Sequence, residues 1–393
     1  MIEAATLSNS AIGLSEPADM FSPDHYKAMR RPLAEAETLP AWCYTSERFY
    51  KREVERIFLK VWNFLGRADR IPNPGDYFTL TFASIPLIIA RGDDGKVRAF
   101  ANSCRHRGSI VALGEGNCRA FKCPYHSWAF ALDGTLLGAP SMEETANFDP
   151  AEYGLIEVRL ESWGGFIFVN FDQDAPDLMS FLGDLPARLA SYNYEEMVCV
   201  RRVEYELNCN WKIYVENAME AYHVPYVHKS TLQRQKGPTA QPIETRGEWV
   251  GLFKEHTGSR ALLAGETGFP PIPSLTGPAA AGTHYPLIYP STMFGATIDC
   301  MWWLEIHPIA ADRTRLIVGS AFPRDVVARP DFEEIVTRYY RRWDISIPED
   351  NEISELQQRG LSSPLYREGR FSHLEPLVHA IDNWVLDQVL DPA

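Results

Sequence analysis

Residues 103–128 have the sequence SCRHRGSIVALGEGNCRAFKCPYHSW, which contains two cysteines and two histidines. Cys104 and His106 form one close pair, and Cys123 and His126 form a second pair after a long interval. Thiolate and imidazole groups are ligands of zinc, iron and copper, so the four side chains predict a metal site built from two loops. Two kinds of site fit this donor set: a tetrahedral zinc site, or a 2Fe-2S cluster held by two cysteines and two histidines.

The spacing of the pairs favours the cluster over zinc. Zinc sites usually combine a cysteine with a second nearby cysteine, whereas each loop here combines one cysteine with one histidine. The segments CRHRG (104–108) and CPYHSW (123–128) resemble the two cluster-binding loops of Rieske proteins. Respiratory Rieske proteins carry an additional cysteine in each loop, where this chain has Ser109 and Tyr125. The chain therefore resembles the oxygenase and ferredoxin branch of that family.

The residues around these loops indicate an antiparallel β domain. Short runs of β-branched and aromatic residues, separated by turn signals, extend from Asn63 to about Phe171. A helix capped by Ser46 is predicted to precede them. Residues 1–40 mix Pro, Ser, Ala and Glu with little periodicity, which predicts an N-terminal arm lying over the surface or against a neighbouring subunit.

Composition limits the classes of partner. The chain has 393 residues, 45% of them hydrophobic, and a formal net charge of −14. That charge argues against nucleic acid or an anionic membrane as a partner. The sequence has no apolar run long enough to span a bilayer and no readable signal peptide, so we expect a cytoplasmic protein.

A second group of polar residues lies in NCNWKIYVENAMEAYHVPYVHKSTL, residues 208–232. Asn210 is a candidate cap for a helix, and Trp211 is expected in the core. Glu216, Glu220 and His223 follow at i, i+4 and i+7, which predicts that they share one helical face.

A further histidine, His228, cannot converge with His223 if the helix continues, because five residues correspond to about 140° of rotation. Pro225 interrupts the helix and is expected to bend the chain so that the two imidazoles approach each other. Two imidazoles and one carboxylate form the facial triad that holds mononuclear iron(II).

The carboxylate is predicted in SIPEDNEISELQQRGLSS, residues 346–363. Pro348 is expected to open a helix and Gly360 to close it, which would place Asp350 in the first turn.

This second group is similar to the catalytic part of Rieske oxygenase α subunits, which carry an NWK…E…H…H helix and a late aspartate. The resemblance implies that His223, His228 and Asp350 are iron ligands. Glu349 and Glu352 are adjacent carboxylates and remain open as alternatives to Asp350.

The resemblance also implies how the two centres cooperate. In the family, a carboxylate three residues before the first iron histidine connects a cluster histidine of one subunit with an iron histidine of its neighbour in a head-to-tail trimer. Glu220 occupies that position here. Many ring-hydroxylating members have an aspartate there, while a glutamate is similar to the oxidative demethylases of carnitine and choline type.

The substrate pocket is expected around the iron, where aromatic and apolar walls would bind flat or cationic compounds. The candidate lining residues are Met219, Tyr226, Phe253, Met293, Phe294 and Trp302.

The resemblance implies an α+β protein with an all-β Rieske domain at residues 41–165 and an α+β helix-grip catalytic domain with an antiparallel sheet at residues 166–393. The expected activity is that of a terminal oxygenase that uses dioxygen and carries out monooxygenation with N- or O-dealkylation of a small organic substrate. Aromatic ring hydroxylation is the alternative, and a Rieske electron carrier without oxygenase activity is the alternative from another class. The chain has no flavin or nicotinamide fingerprint, so NAD(P)H would act through a separate reductase, with or without a ferredoxin.

Overall fold

The N-terminal arm lies along the C-terminal part of the same chain. A computed structural model describes residues 16–232, 241–243 and 245–392. Part of the predicted arm, residues 1–15, therefore lies outside the described residues. In the remainder, Arg30 forms an ion pair with Asp387 at 2.7 Å, and Glu37 forms an isolated β-bridge with Arg370.

Two short helices follow the arm, α1 (Trp42–Thr45) and α2 (Glu47–Glu53). The hydroxyl of Ser46 accepts hydrogen bonds from the amides of Arg48 and Phe49, both at 3.2 Å, so the predicted cap is confirmed. The helix continues into a π-helical turn before the first strand.

Antiparallel strands form the first half of the fold, as the sequence predicts. They are β1 (Asn63–Arg67), β2 (Asp76–Phe82), β3 (Ile85–Arg91), β4 (Val97–Ala101), β5 (Glu115–Asn117), β6 (Phe121–Lys122), β7 (Ala129–Phe130), β8 (Leu136–Gly138), β9 (Glu157–Trp163) and β10 (Phe166–Asn170). One sheet has the order β1-β10-β9-β4-β3-β2-β5, and a small sheet has the order β6-β7-β8. The two cysteine and histidine pairs lie in the loops that follow β4 and β6.

The last strand of this half lies directly after the predicted boundary at residue 165. β10 pairs with β1 through Val169 and Asn63, and with β9 through Phe166 and Trp163. A division between residues 165 and 166 would remove β10 from its sheet. A first unit that includes the whole of this sheet would therefore end beyond Asn170.

The second half is a mixed unit built on one antiparallel sheet. Its strands are β11 (Met197–Leu207), β12 (Gln241–Pro242), β13 (Trp249–Glu255), β14 (Gly282–Ile288), β15 (Thr292–Ala296), β16 (Met301–Ala310) and β17 (Arg313–Pro323), in the order β11-β17-β16-β15-β14-β13-β12. Its helices are α3 (Leu178–Leu182), α4 (Leu185–Leu189), α5 (Trp211–Ala218), α6 (Val224–Val227), α7 (Pro278–Ala281), α8 (Arg324–Val327), α9 (Phe332–Leu361) and α10 (Pro376–Val389). None of the helices in the described part of the chain is long and apolar enough to cross a membrane.

Helix α9 contradicts the predicted role of Pro348, which lies inside this 30-residue helix instead of opening one. A proline inside a helix removes a backbone hydrogen bond and costs about 3 kcal/mol. Trp343 and Ile347 are buried before the proline, and Leu361 is buried at the far end of the helix. Because both sides of α9 pack into one core, packing outweighs the local cost. Asp350 is consequently held in the middle of a rigid helix.

The second sheet has two different faces because successive side chains of a strand alternate in direction. Trp302 packs on the face covered by α5 and α9, while Trp303 packs on the other face against the first half of the fold. Glycines make room for both indoles. A Cβ atom on Gly295 would stand 2.2 Å from Nε1 of Trp302, and one on Gly319 would stand 2.0 Å from Cε2 of Trp303.

A buried ion pair joins α2 to α5. Nζ of Lys212 lies 2.5 Å from Oε1 of Glu53, and both side chains are fully buried. Trp211 is buried as predicted and donates its indole N–H to Glu53 at 3.1 Å. The side chain of Asn210 caps α5 as predicted, because its Oδ1 accepts the amide N–H of Lys212 at 3.0 Å.

A second polar contact of α5 is a pair of buried carboxyl groups, Glu216 and Asp382 of α10. The hydroxyl of Tyr44 donates to Oε1 of Glu216 at 2.9 Å, while Oδ1 of Asp382 has no hydrogen-bond partner among the described residues. Burial raises the pKa of Glu216 to about 7, and burial together with the charge of Glu216 raises the pKa of Asp382. The pair therefore retains a proton at pH values where exposed carboxyl groups have lost theirs.

This pair predicts a decline of stability with rising pH. A carboxyl group whose pKa is raised by folding binds a proton more tightly in the folded chain, so its contribution to stability is lost between pH 4.5 and about 7. We expect the Glu216→Gln variant to show a shallower decline of the unfolding free energy over that range, by up to about 1.4 kcal/mol per pH unit. Urea unfolding at several pH values measures this difference. Parallel curves for the variant and the wild type would contradict the prediction.

Candidate functional site

The two cysteine and histidine loops are tight turns closed by their own backbone. In the first, the amide of Cys104 donates to the carbonyl of Ser109 at 2.8 Å, and the amide of Gly108 donates back to Cys104 at 2.9 Å. In the second, the amide of Cys123 donates to the carbonyl of Trp128 at 2.8 Å. Gly108 has φ +75°, a left-handed conformation that glycine adopts without strain, which explains its place in the turn.

The loops bring all four predicted cluster residues together. Cys104 and Cys123 are 3% and 2% exposed, and the rings of His106 and His126 have centroids 4.6 Å apart. Nδ1 of His106 is buried without a hydrogen-bond partner among the described residues, and its ring stacks on Trp128 at 5.1 Å. Two enclosed sulfurs and an unpaired ring nitrogen fit the donor set of a 2Fe-2S cluster.

The loop backbone stabilises negative charge on one of the sulfurs. Burial raises the pKa of the Cys104 thiol. Burial also acts to raise the pKa of Cys123, but the amide of Tyr125, the Cys104 thiol and the amide of His126 lower it overall. Amide N–H groups that point at a thiolate favour the deprotonated form in which cysteine binds iron.

The second group of polar residues follows a different backbone path from the predicted one. A single helix was expected to carry Glu216, Glu220 and His223, whereas α5 ends before Glu220. Pro225 lies in the first turn of α6, where it is tolerated because the first turn does not need the N–H that proline lacks. The predicted approach of His228 to His223 is nevertheless confirmed, since their ring centroids lie 5.2 Å apart.

Asp350 of α9 completes this group from the other side. Nε2 of His228 lies 2.9 Å from Oδ1 of Asp350, and Nε2 of His223 lies 3.5 Å from the same oxygen. One ligand atom from each of the three residues lies within 4.8 Å of the others. Two imidazole nitrogens and one carboxylate oxygen at this separation fit the facial triad of mononuclear iron(II).

A carboxylate holds the far nitrogen of each imidazole. Nδ1 of His223 lies 2.5 Å from Oε1 of Glu220, and Nδ1 of His228 lies 2.6 Å from Oε2 of Glu349. Thr231 donates its hydroxyl to the same Glu349 oxygen at 2.9 Å. With Nδ1 engaged, Nε2 of each ring points toward Asp350, which is the orientation that metal-binding histidines take from their outer partners.

This geometry separates the three candidate carboxylates. Glu349 contacts the back of the His228 ring, and Glu352 is exposed, so Asp350 is the one that faces Nε2 of both histidines. Burial acts to lower the pKa of His228, but the hydrogen bonds and charges of Asp350 and Glu349 raise it overall. The same negative charge would attract a metal cation.

Glu349 is expected to strengthen iron binding without touching the iron. Replacing it with alanine removes the acceptor that orients His228, so we predict iron affinity weaker by about 10- to 100-fold. Iron titration of the metal-free protein measures this loss. The exposed Glu352→Ala change is the matched control, and equal affinities for the two variants would contradict the role of Glu349.

Three of the six predicted pocket residues lie on the side of the sheet that faces this group. Met219 follows α5 and is 1% exposed, and it belongs to the same buried cluster as Met293 and Trp302. Trp302 lies within 6.5 Å of the Tyr285 ring and 6.4 Å of the Trp343 ring, measured between centroids. These side chains form an apolar and aromatic wall next to α9.

The other three predicted pocket residues lie elsewhere. Phe294 packs against Phe166 at 4.8 Å on the opposite face of the sheet, and Phe253 packs against His284 at 4.8 Å on that same face. Tyr226 is 72% exposed. Side chains along a strand alternate in direction, and Phe294 and Phe253 each lie next to a residue whose side chain points to the face covered by α9.

The sequence did not reveal several contacts of the triad. Besides Glu349 and Thr231, the amide group of Asn217 lies 3.4 Å from Oδ1 of Asp350. Each of these contacts joins residues that are distant in the sequence, so the contact depends on the fold of the backbone. Asn217 lay within the quoted helix segment, one position after Glu216, and its polar side chain on a mostly buried helix was the available signal.

Two family models match the chain. The one described as the Rieske [2Fe-2S] domain matches residues 61–149, and the one described as the ring hydroxylating alpha subunit (catalytic domain) matches residues 194–391. The first removes the zinc alternative for the cysteine and histidine loops. The second covers the segment that carries the two histidines and Asp350, which an electron carrier alone would lack.

Individual relatives match along most of their length. Choline monooxygenase of Spinacia oleracea is 30% identical over 90% of this chain and 79% of its own length. The carnitine monooxygenase oxygenase subunit of Escherichia coli is 30% identical over 85% of this chain and 86% of its own length. A solved quaternary ammonium Rieske monooxygenase, described with carnitine oxidation and inter-subunit electron transfer, is 26% identical with a TM-score of 0.76 over 90% of this chain and 96% of its own.

Proposed function

The chain belongs to the Rieske oxygenase α subunits, and from that membership we propose that its substrate carries N-methylammonium groups that it oxidatively demethylates. The observation that carries the proposal is the 30% identity, over most of both chains, to monooxygenases named for choline and carnitine. The aromatic wall formed by Trp302, Tyr285 and Trp343 supports it, because aromatic faces bind quaternary ammonium groups.

As a member of this family, the chain is an oxygen-incorporating oxidoreductase with a Rieske 2Fe-2S cluster and a mononuclear iron. The iron supplies dioxygen activation and the cluster supplies electrons, which come from a separate reductase that uses NAD(P)H. In the proposed reaction one oxygen atom enters an N-methyl group and the other leaves as water. Two electrons and two protons are consumed, the C–N bond breaks, and formaldehyde and the demethylated ammonium compound leave.

The cluster ligands in this proposal are Cys104, His106, Cys123 and His126. Their support is the enclosed geometry of the two loops and the unpaired Nδ1 of His106. The side chain of Trp128 positions the His106 ring by stacking on it.

The iron ligands in this proposal are His223, His228 and Asp350, which offer ligand atoms within 4.8 Å of one another. Glu220 and Glu349 orient the two imidazoles through Nδ1. Met219, Met293 and Trp302 are the pocket residues that remain of the six predicted from the sequence.

We further propose a head-to-tail homotrimer in which Glu220 receives a cluster histidine of the neighbouring subunit. Tyr125, beside His126, is 56% exposed, and Tyr222 and Tyr226, beside His223, are 45% and 72% exposed. Exposed tyrosines at both centres are typical of surfaces that become buried on association. Such a heterologous contact closes into a ring when its rotation is right.

The division into domains is part of the same proposal: an arm up to residue 40, a Rieske unit from 41 to beyond Asn170, and a catalytic unit from there to the C-terminus. A ferredoxin and a cytoplasmic location stay predictions from the sequence.

The experiment that tests the function is dioxygen uptake with a surrogate reductase and a panel of compounds, scored at the same time for formaldehyde. The panel contains choline, carnitine, glycine betaine, an O-methyl ether and an aromatic hydrocarbon. Uptake matched by formaldehyde from an N-methyl compound is the expected result. Uptake that yields a phenol or diol from the hydrocarbon would contradict the proposal and assign ring hydroxylation instead. The Asp350→Ala protein is the control for uptake that does not depend on the iron.

A further inference from the structure

A buried guanidinium on α9 lacks a carboxylate partner. Arg342 is 6% exposed, and its Nε has no hydrogen-bond partner among the described residues. None of the ion pairs found in the described part of the chain includes this side chain, whose Cζ lies 5.4 Å from the centroid of the Trp302 ring. Buried charges in proteins are normally paired, so an unpaired buried arginine calls for an anion that the chain itself does not supply.

A second buried cation, Arg260, lies near Arg342. Burial lowers the pKa of Arg342; the charges of Tyr285, Cys300 and Asp350 act to raise it, and the charge of Arg260 acts to lower it. Arg260, 5% exposed, also contributes to lowering the pKa of Lys254 and of His256, after burial. Arg342 and Arg260 are therefore two buried cations close enough to interact with each other.

The buried carboxylate of this region is already engaged. Asp299 accepts hydrogen bonds from Tyr339 at 2.5 Å, Ser259 at 2.7 Å and Thr297 at 3.0 Å. Three hydroxyl donors satisfy its oxygens without any contribution from Arg342.

Arg342 also lies in line with the iron triad. It precedes Asp350 by two helical repeats of four residues on α9, which places the two Cα atoms about 12 Å apart on the same ridge of the helix. Ser346, between them, is buried. Trp302 covers Gly295 of the sheet, and its ring also contacts Arg342. The guanidinium of Arg342 therefore borders the aromatic wall that contains Trp302.

We propose that Arg342 binds an anionic group of the substrate, so that the substrate is a zwitterion with its N-methyl group at the triad and a carboxylate at Arg342. This inference rests on the proposed demethylation of N-methylammonium compounds and adds the second charge. A guanidinium forms two parallel hydrogen bonds with a carboxylate, and one of these would satisfy the Nε donor that has no partner among the described residues. A substrate with only a positive charge would enter a region that already holds buried cations.

The proposal separates compounds that share a trimethylammonium group. Glycine betaine and carnitine carry a carboxylate, whereas choline carries a hydroxyl. We expect the wild-type protein to bind the carboxylates more tightly than choline, and the Arg342→Met variant to lose that preference.

The test is calorimetric binding of glycine betaine, carnitine and choline to the iron-loaded protein without dioxygen, together with a thermal unfolding scan without ligand. Arg342→Met should raise the dissociation constants of the carboxylates by about 10- to 100-fold and that of choline by less than about threefold. Arg342→Lys should retain part of the affinity. The matched control is Arg341→Met, because Arg341 is exposed and pairs with Glu266 at the surface.

The unfolding scan separates a binding role from a structural one. Removing a buried charge that lacks a partner should raise the unfolding midpoint or leave it unchanged. A lowered midpoint with equal loss for all three compounds would overturn the proposal, and so would wild-type protein that binds choline as tightly as the carboxylates. Formaldehyde release from any N-methyl compound tests the proposed demethylation independently. The demethylation and the role of Arg342 can therefore be contradicted separately.

Discussion

The Glu220→Gln variant is expected to keep its cluster and its mononuclear iron and yet turn over about 100-fold more slowly with a reductase. The Glu220 carboxylate lies 2.5 Å from Nδ1 of His223 and accepts the amide of that residue at 3.0 Å. Glutamine retains the shape of the side chain but loses the charge that orients the imidazole and, in the proposed trimer, receives the neighbouring cluster histidine. Steady-state dioxygen uptake and reduction of the cluster, followed by its visible absorption, measure the two effects separately.

Two further variants make this prediction specific. Glu195→Gln changes an exposed glutamate of the same unit and should leave turnover unchanged. Glu220→Asp retains the charge on a shorter arm and should recover part of the rate. Normal turnover by Glu220→Gln would show that electrons reach the iron without this carboxylate.

Asp350→Ala is expected to remove most of the mononuclear iron and to abolish oxygenation, while the cluster remains. The change deletes the carboxylate oxygen that faces Nε2 of both His223 and His228 and leaves two neutral ligands for a divalent ion. Iron analysis should fall toward the content of the cluster alone, and the visible spectrum of the cluster should be unchanged.

The matched change for Asp350 is Glu352→Ala, two residues later on the exposed side of α9. It should leave the iron content at the wild-type level. Full iron occupancy in Asp350→Ala would move the carboxylate ligand to Glu349, which then could not hold Nδ1 of His228 as it does here.

The cluster loops were predictable from the sequence because their ligands are local. Cys104 and His106 lie within one turn, as do Cys123 and His126, and only the packing of one loop against the other required the fold. The antiparallel strands around them were predictable because short runs of β-branched and aromatic residues, separated by turn signals, are local features of the sequence.

The path of the chain through the second centre was less predictable. Proline fixes its own φ and removes one donor, but whether it begins, ends or interrupts a helix depends on packing. Pro225 lies in the first turn of a helix, whereas Pro348 lies in the interior of one whose two ends are buried in the same core. The histidines were nevertheless identified correctly as neighbours, because any break between His223 and His228 allows them to converge.

The contacts that determine orientation and specificity were not accessible from the sequence. Glu349 acts on His228 across more than a hundred residues of chain, and nothing local to either residue indicates the pairing. Phe294 and Met293 are adjacent and equally apolar, yet they face opposite sides of the sheet. The inference about Arg342 depends on the lack of a carboxylate paired with its guanidinium. Such a lack can be recognised only when the positions of the surrounding side chains are known.

The most direct test of the whole account is a single turnover without a reductase. Protein with both metal centres reduced is mixed with dioxygen and an N-methylammonium carboxylate such as glycine betaine, and formaldehyde and cluster absorption are followed together. We predict formaldehyde in amounts comparable to the mononuclear iron, formed as the cluster returns to its oxidised spectrum, and far less from His106→Ala protein, which lacks the cluster. Reoxidation of the cluster without formaldehyde, or equal formaldehyde from the His106→Ala protein, would contradict the account.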